Sequence, residues 1–194
     1  MPKDVIAQIM TDTDQHMLRA IEAVKREFSM VRTGRANPAI LDRVLVEYYG
    51  DKVPVKQVGT ITAPEPRLLM VQPWDKAMIK AIVDAITSSD LGLNPISDGN
   101  LLRIPLPQLT TERRQELAKQ VAHRAEECRV AVRNVRRETV DRLRAMQRNG
   151  DISEDDLHRF QEQVQKITDT HIAQIGQLEK TKEREITEGR SARR

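Results

Sequence analysis

The chain has 194 residues, 31% of them charged and 39% hydrophobic, which allows one large or two small globular domains. Its single cysteine, Cys128, excludes an internal disulfide framework and any multi-cysteine zinc or iron–sulfur site. Aromatic residues make up only 3%, which argues against an RNA-binding platform of stacked rings. No apolar run approaches the ~20 residues of a membrane span, and the N-terminal residues lack a signal-peptide core. We therefore expect a cytoplasmic protein without membrane contacts.

The first predicted element is a helix over residues 4–33. Apolar side chains recur there at spacings of three and four, which is the periodicity of an amphipathic helix. Gly34 is expected to end this helix, because glycine adopts the left-handed conformation common at helix C-termini.

Residues 35–107 have a different character, since they contain eight of the nine prolines and several short β-like runs. The runs over 44–49, 53–58, 60–62, 68–71 and 101–104 predict strands. Between them, residues 75–88 have the apolar spacing of one amphipathic helix. This segment is expected to form a small α+β unit.

Helical periodicity returns over residues 110–148 and again over 153–187. Asn149 and Gly150 should end the first of these helices, and Ser153 should cap the second. Three long helices with one apolar stripe each bury those stripes most simply against one another. The predicted fold class is α+β: an elongated antiparallel three-helix bundle with an inserted small β/α/β domain.

The predicted domains are a discontinuous bundle, an insertion and a tail. The bundle comprises residues 1–33 and 106–188, the insertion residues 34–105, and a disordered tail residues 189–194. Glycine and proline in the two connections predict a hinge formed by Thr33, Gly34, Arg35, Pro105, Leu106 and Pro107. A rigid corner packed by side chains is the alternative.

Positive charge is concentrated in residues 105–150, which carry an excess of five basic residues, whereas the whole chain has a net charge of +3. At roughly 100° per residue, one face of the helix over 110–148 is basic, although Glu112 and Glu126 also fall there. The basic side chains on this face are Lys119, Arg129, Arg133, Arg136, Arg137, Arg144 and Arg148.

Arg133 and Arg136 stand out within this face because neither has an acidic residue three or four positions away. We therefore expect neither to have an acidic partner on its own helix. Several arginines there are also neighbours of like charge, which destabilises an isolated helix slightly unless an anion binds. Guanidinium groups suit bidentate contact with phosphates, so the pattern favours nucleic acid as the partner. Acids on another helix, or water, are the alternative partners for these arginines.

No catalytic or metal site is predicted. His16, His123, His158 and His171 form no metal-binding pair on one helix face, and no phosphate loop, dinucleotide fingerprint or nucleophile elbow is present. His171 and Cys128 fall on apolar stripes, so we expect both to be buried. We therefore expect no enzyme activity, no cofactor and no small-molecule substrate.

Seven short segments, in the same order along the chain, closely resemble those of bacterial ribosome recycling factors, and the resemblance covers residues 4–186. The segments are RTGRANP (32–38), VEYYG (46–50), SDLGLNP (89–95), RIPLP (103–107), ERR (112–114), VAVRNVRR (130–137) and DISEDD (151–156).

The resemblance implies an L-shaped, tRNA-sized monomer that binds the large ribosomal subunit after termination. It implies that elongation factor G, using GTP, then drives the subunits apart and that the factor itself hydrolyses nothing. By motif, it assigns contacts with ribosomal RNA to Arg32, Arg35, Arg133 and Arg136, with Arg129 and Arg137 as weaker candidates.

Two other classes of function stay open at this point. One is a helical adaptor, or a general nucleic-acid-binding protein without ribosome specificity, which would use the same basic face. The other is an enzyme that uses Asp155, Asp156 or His171. Binding to a generic duplex as strong as to ribosomes would favour the first, and turnover without ribosomes would favour the second.

Overall fold

The computed structural model describes residues 2–188, which form four α-helices and six β-strands. The helices are α1 (Pro2–Met30), α2 (Ile79–Ser88), α3 (Thr111–Arg148) and α4 (Glu154–Glu188). The strands are β1 (Leu45–Tyr48), β2 (Asp51–Pro54), β3 (Gly59–Glu65), β4 (Leu68–Pro73), β5 (Ile96–Asp98) and β6 (Leu101–Pro105). The predicted disordered tail, residues 189–194, lies outside the described residues.

The chain divides into two compact units. The first consists of the residues up to Val31 together with Gln115–Arg184, and the second contains Arg32–Arg114 and the end of α4 from Glu185. That each unit is an independent domain stays a prediction, as do the boundaries at residues 33 and 105.

The first unit is an antiparallel bundle of α1, α3 and α4. The Thr13 and Thr139 hydroxyls lie 2.8 Å apart, and the Cys128 thiol donates a 3.5 Å hydrogen bond to the carbonyl of Ala20. Residue numbers therefore increase along α1 as those of its partners on α3 decrease, so these two helices are antiparallel. The prediction of a three-helix bundle is confirmed.

Apolar side chains from all three helices form the core at one end of this bundle. Leu143 and Val164 are fully buried there, and the other members are exposed by less than a tenth. The buried members of this cluster are Ile6, Ile9, Val140, Leu143, Ile152 and Val164. This packing accounts for the apolar spacing of the long helices.

The ends of α3 and α4 follow local capping chemistry. The Thr110 hydroxyl accepts a 3.1 Å hydrogen bond from the Arg113 backbone, and the Ser153 hydroxyl accepts one of 3.0 Å from the Asp156 backbone. Gly150 has a φ of +81°, the left-handed conformation expected of a residue that ends a helix. These predicted ends are confirmed within one residue.

The end of α1 differs from the prediction. The helix ends at Met30, and the backbone N–H of Val31 bonds instead to the carbonyl of Phe28 in a tighter turn. Gly34 has the expected left-handed φ, +74°, but it lies in the irregular segment beyond the helix. Its conformation therefore shapes the connection rather than the helix end.

The second unit contains the β1–β2 hairpin and a four-stranded antiparallel sheet in the order β3-β4-β6-β5. In the core of this unit, apolar side chains of the hairpin and of the sheet pack against α2, whose Ile82 and Ile86 are fully buried. The predicted small α+β unit is thus present.

No helix among residues 2–188 has the length and apolar character required to cross a bilayer.

Two strand predictions in this unit were wrong or incomplete. The run predicted as a strand over 53–58 divides at Pro54, where β2 ends and a 3₁₀ turn, Val55–Gln57, begins. Proline has no N–H for a strand ladder, so pairing stops there. The edge strand β5 was not predicted. It has only three residues, too few to show the alternation of apolar and polar side chains that indicates a strand, and all three are exposed.

Candidate nucleic-acid interface

Helix α3 presents its arginines because its apolar stripe faces the bundle. The buried side chains of this helix are Leu117, Val121, Ala125, Cys128, Val132, Thr139, Val140 and Leu143. Arg133 and Arg137 are exposed, whereas Arg129 and Arg136 are half-buried. We call these four residues the α3 arginine surface.

Arg129 is held by two carboxylates. Its guanidinium bonds to Glu179 of α4 and lies 3.3 Å from Glu126 of its own helix. The hydrogen bond with Glu179 raises the pKa of the Arg129 guanidinium, which stays charged. Because its side chain is only 20% exposed, Arg129 acts first as a bridge between α3 and α4.

Arg133 has an acidic partner that the sequence analysis overlooked. Its guanidinium lies 3.5 Å from Glu126, seven positions earlier on α3. The prediction that no acid on its own helix pairs with Arg133 was therefore wrong. Seven residues make nearly two turns, so both side chains leave the same face of the helix and are long enough to meet. Both are more than half exposed, and such pairs contribute only ~0–1 kcal/mol.

Arg136 has a neutral partner instead. Its guanidinium donates a 3.4 Å hydrogen bond to the side-chain oxygen of Gln165 on α4. The amide nitrogen of Gln165 in turn donates a 2.9 Å hydrogen bond to Asp169. No carboxylate among residues 2–188 forms an ion pair with Arg136, so the predicted lack of an acidic partner holds for this residue.

Arg137 completes the surface. It is exposed and forms no ion pair with any described residue. Arg32 and Arg35 are also exposed, but both lie in the second unit, in the segment that follows α1. The structure thus brings together Arg129, Arg133, Arg136 and Arg137 on one helix, and it places Arg32 and Arg35 in a separate element.

A groove of about 290 Å³ lies between α3 and α4 next to Arg136. Its lining consists of Arg133, Arg136, Gln165, Thr168, Asp169 and Ile172. Sequence reasoning missed Gln165, Asp169 and Glu179 because they come from another helix. Glu126 had a signal, since it falls within the basic face of α3.

The predicted hinge residues lie at the two connections, and backbone hydrogen bonds attach part of each connection to the sheet. The N–H of Ala36 bonds to the Pro66 carbonyl at 2.6 Å, and the N–H of Leu106 bonds to the Arg67 carbonyl at 2.8 Å. Pro105 is the last residue of β6. Thr33, Gly34, Arg35 and Pro107 lie outside regular secondary structure.

The remaining titratable candidates have structural surroundings. His171 is only 6% exposed, and its Nε2 lies 2.8 Å from Asp14 of α1, so the expectation of a buried histidine is confirmed. Asp155 and Asp156 lie in the first turn of α4, where acids offset the helix dipole. Among the described residues, no group of three or more His, Cys, Asp or Glu side chains is arranged to hold a metal ion.

The comparisons with known proteins agree with one another. The family model described as "Ribosome recycling factor" matches residues 24–187. The ribosome-recycling factor of Carboxydothermus hydrogenoformans is 50% identical over 182 residues, which are 94% of this chain and 98% of that protein. The one from Bacillus subtilis is 50% identical over 181 residues, covering 93% and 98%.

Solved structures show the same likeness. A solution structure of a ribosome recycling factor is 42% identical, covers 94% of this chain and 97% of its own, and has a TM-score of 0.70. A second structure comes from models of the T. thermophilus ribosome recycling factor and the E. coli elongation factor G bound to the E. coli post-termination complex. It is 47% identical, covers 93% and 98%, and has a TM-score of 0.63. From sequence and fold alike, the chain belongs to the ribosome recycling factor family.

Proposed function

We propose that this protein binds the large subunit of the post-termination ribosome and, with elongation factor G and GTP, promotes separation of the subunits. Family membership supports the role, and the T. thermophilus relative is paired with elongation factor G on a post-termination complex. The observation that carries the proposal is Arg136, a guanidinium whose only partner among residues 2–188 is neutral, beside the exposed Arg133 and Arg137. A bacterial cytoplasm is the compartment that this role requires.

The α3 arginine surface would supply the contacts with ribosomal RNA. Arg133, Arg136 and Arg137 would each contact a phosphate. Arg136 and Arg137 form no ion pair with a described residue, and the ion pair of Arg133 is exposed and weak. Arg129 would contribute less, since two carboxylates already neutralise it. Arg32 and Arg35 would add contacts from the second unit through their exposed side chains.

A polysome-breakdown assay tests the function directly. With elongation factor G and GTP present, we expect the purified protein to convert post-termination polysomes into monosomes and free subunits. Omitting either should abolish the effect. The proposal fails if breakdown does not occur, or if a generic RNA or DNA duplex competes for the protein as strongly as large subunits do.

Replacing Glu126 by glutamine is expected to strengthen binding to the large subunit about two- to fivefold. The variant removes the carboxylate that contacts both Arg133 and Arg129, while Arg129 keeps its bond to Glu179. Arg133 then meets RNA phosphate without first losing an ion pair. Equilibrium binding to isolated large subunits measures the change.

The matched control is Glu127→Gln, which alters net charge equally but removes a carboxylate whose ion-pair partner is His123. We expect this control to bind nearly as the unchanged protein does. Equal strengthening by both variants would contradict the local competition and leave only a general charge effect.

We further propose that the two connections act as a hinge, with rotation concentrated where the backbone is not attached to the sheet. These stretches are residues 31–35 and 107–110, which flank the bonds of Ala36 and Leu106. Spin labels on cysteines at the exposed positions Gln15 and Lys80 should give a broad distance distribution in the free protein. Burial raises the pKa of the Cys128 thiol, so the native cysteine should label slowly. One narrow distance would contradict the hinge.

A further inference from the structure

The side chains that surround Arg136 form a chain of hydrogen bonds across two helices. Asp169 accepts a bond of 2.9 Å from the amide nitrogen of Gln165, and the oxygen of that same amide accepts a bond of 3.4 Å from Arg136. All three side chains line the groove between α3 and α4. The guanidinium is thus tied to α4 through a neutral group.

The carboxylate of Asp169 determines which way the Gln165 amide faces. A glutamine amide has a donor end and an acceptor end, and it can rotate to present either. An ionised carboxylate only accepts hydrogen bonds, so the donor end faces Asp169. The oxygen must then face Arg136, where a guanidinium needs an acceptor.

Arg129 and Arg136 contact different kinds of side chain on α4. This helix gives Arg129 a carboxylate, Glu179, and it gives Arg136 an amide, Gln165. An ion pair neutralises a guanidinium, whereas an amide oxygen fixes its direction and leaves its positive charge available. Arg136 is therefore oriented but not neutralised by any carboxylate in the described part of the chain, and a phosphate can still approach it through the groove.

We propose that Gln165 and Asp169 are positioning residues for RNA recognition: Asp169 orients the amide of Gln165, and Gln165 holds Arg136 ready for a phosphate. This inference rests on the proposed ribosome-binding function. Preorganising a long, flexible side chain lowers the entropy lost when it binds. Loss of the Gln165 oxygen should therefore weaken binding only through Arg136.

The test is a double-mutant cycle on the full-length protein with isolated large ribosomal subunits. We expect Gln165→Met, which keeps length and helix propensity but has no acceptor oxygen, to weaken binding two- to fivefold. In the Arg136→Ala background the same substitution should cause no further loss. The matched control is Gln163→Met, at an exposed position of α4, which should bind normally.

Asp169→Asn separates orientation from overall charge. Removing a negative charge near the arginines should strengthen binding if only the electrostatic field matters. An asparagine can donate as well as accept, so the Gln165 amide is no longer fixed, and we expect weaker binding instead. Binding equal to or tighter than that of the unchanged protein would overturn the orienting role of Asp169.

The outcomes distinguish RNA binding by Arg136 from its positioning by Gln165 and Asp169. If Arg136→Ala leaves binding unchanged, the proposed function of the arginine surface fails. If Arg136→Ala weakens binding but Gln165→Met does not, or weakens it equally in both backgrounds, only the positioning role is overturned. Circular dichroism of each variant should show unchanged helix content.

Discussion

Replacing Arg136 by alanine is expected to weaken binding to the large ribosomal subunit at least tenfold, which corresponds to about 1.4 kcal/mol. The change removes a guanidinium whose only described hydrogen-bond partner is the neutral Gln165. A charge-assisted bond to phosphate is lost, and no ion pair with a described residue is broken in exchange. Equilibrium binding to isolated subunits measures the loss, and circular dichroism should show that α3 is intact.

Two further variants control this experiment. Arg142→Ala removes the same charge from an exposed position on another face of α3, so we expect it to bind within about twofold of the unchanged protein. Arg136→Lys keeps the charge but loses the planar fork and should recover only part of the affinity. Equal losses for the Arg136 and Arg142 alanine variants would show that the location of the charge does not matter.

Replacing Leu143 by alanine is expected to lower the free energy of unfolding by about 2–5 kcal/mol, the usual cost of truncating a fully buried leucine. Leu143 is 0% exposed and packs among side chains of α1 and α4 at one end of the bundle. A cavity there removes contacts of all three helices. Urea unfolding followed by circular dichroism measures the change.

Val130→Ala is the matched control on the same helix. Its side chain is 47% exposed, so truncation should change the free energy of unfolding by no more than about 0.5 kcal/mol. A loss below about 1 kcal/mol for Leu143→Ala would contradict the assignment of this residue to the core.

The long helices could be predicted from sequence because their signals are local and repeated. In α3, apolar side chains recur over 38 residues, and Thr110 and Gly150 mark the two ends with side-chain and backbone chemistry. Short strands carry fewer local sequence signals than long helices do. β5 has three exposed residues, so its pairing with β6 comes from the sheet and not from any pattern of its own.

The arginine surface was only partly predictable for a similar reason. Wheel geometry locates Arg133 and Arg136, but the acidic partner of Arg133 is Glu126, seven positions away and beyond the usual three- and four-residue spacings of helix ion pairs. The contacts of Gln165 and Glu179 depend on how α4 lies against α3, which the periodicity of neither helix specifies. Pairing across helices is a tertiary property, and it decides which arginine keeps an available charge.

The salt dependence of large-subunit binding tests the electrostatic account most directly. Phosphate contacts from Arg133, Arg136 and Arg137 predict that log K falls against log salt with a slope of about −2 to −3 or steeper, since each contact contributes roughly −0.7 to −0.9. An Arg133→Ala, Arg136→Ala double variant should reduce the steepness by about 1.5. A slope that is the same in the double variant and the unchanged protein would contradict the claim that these guanidinium groups bind RNA phosphates.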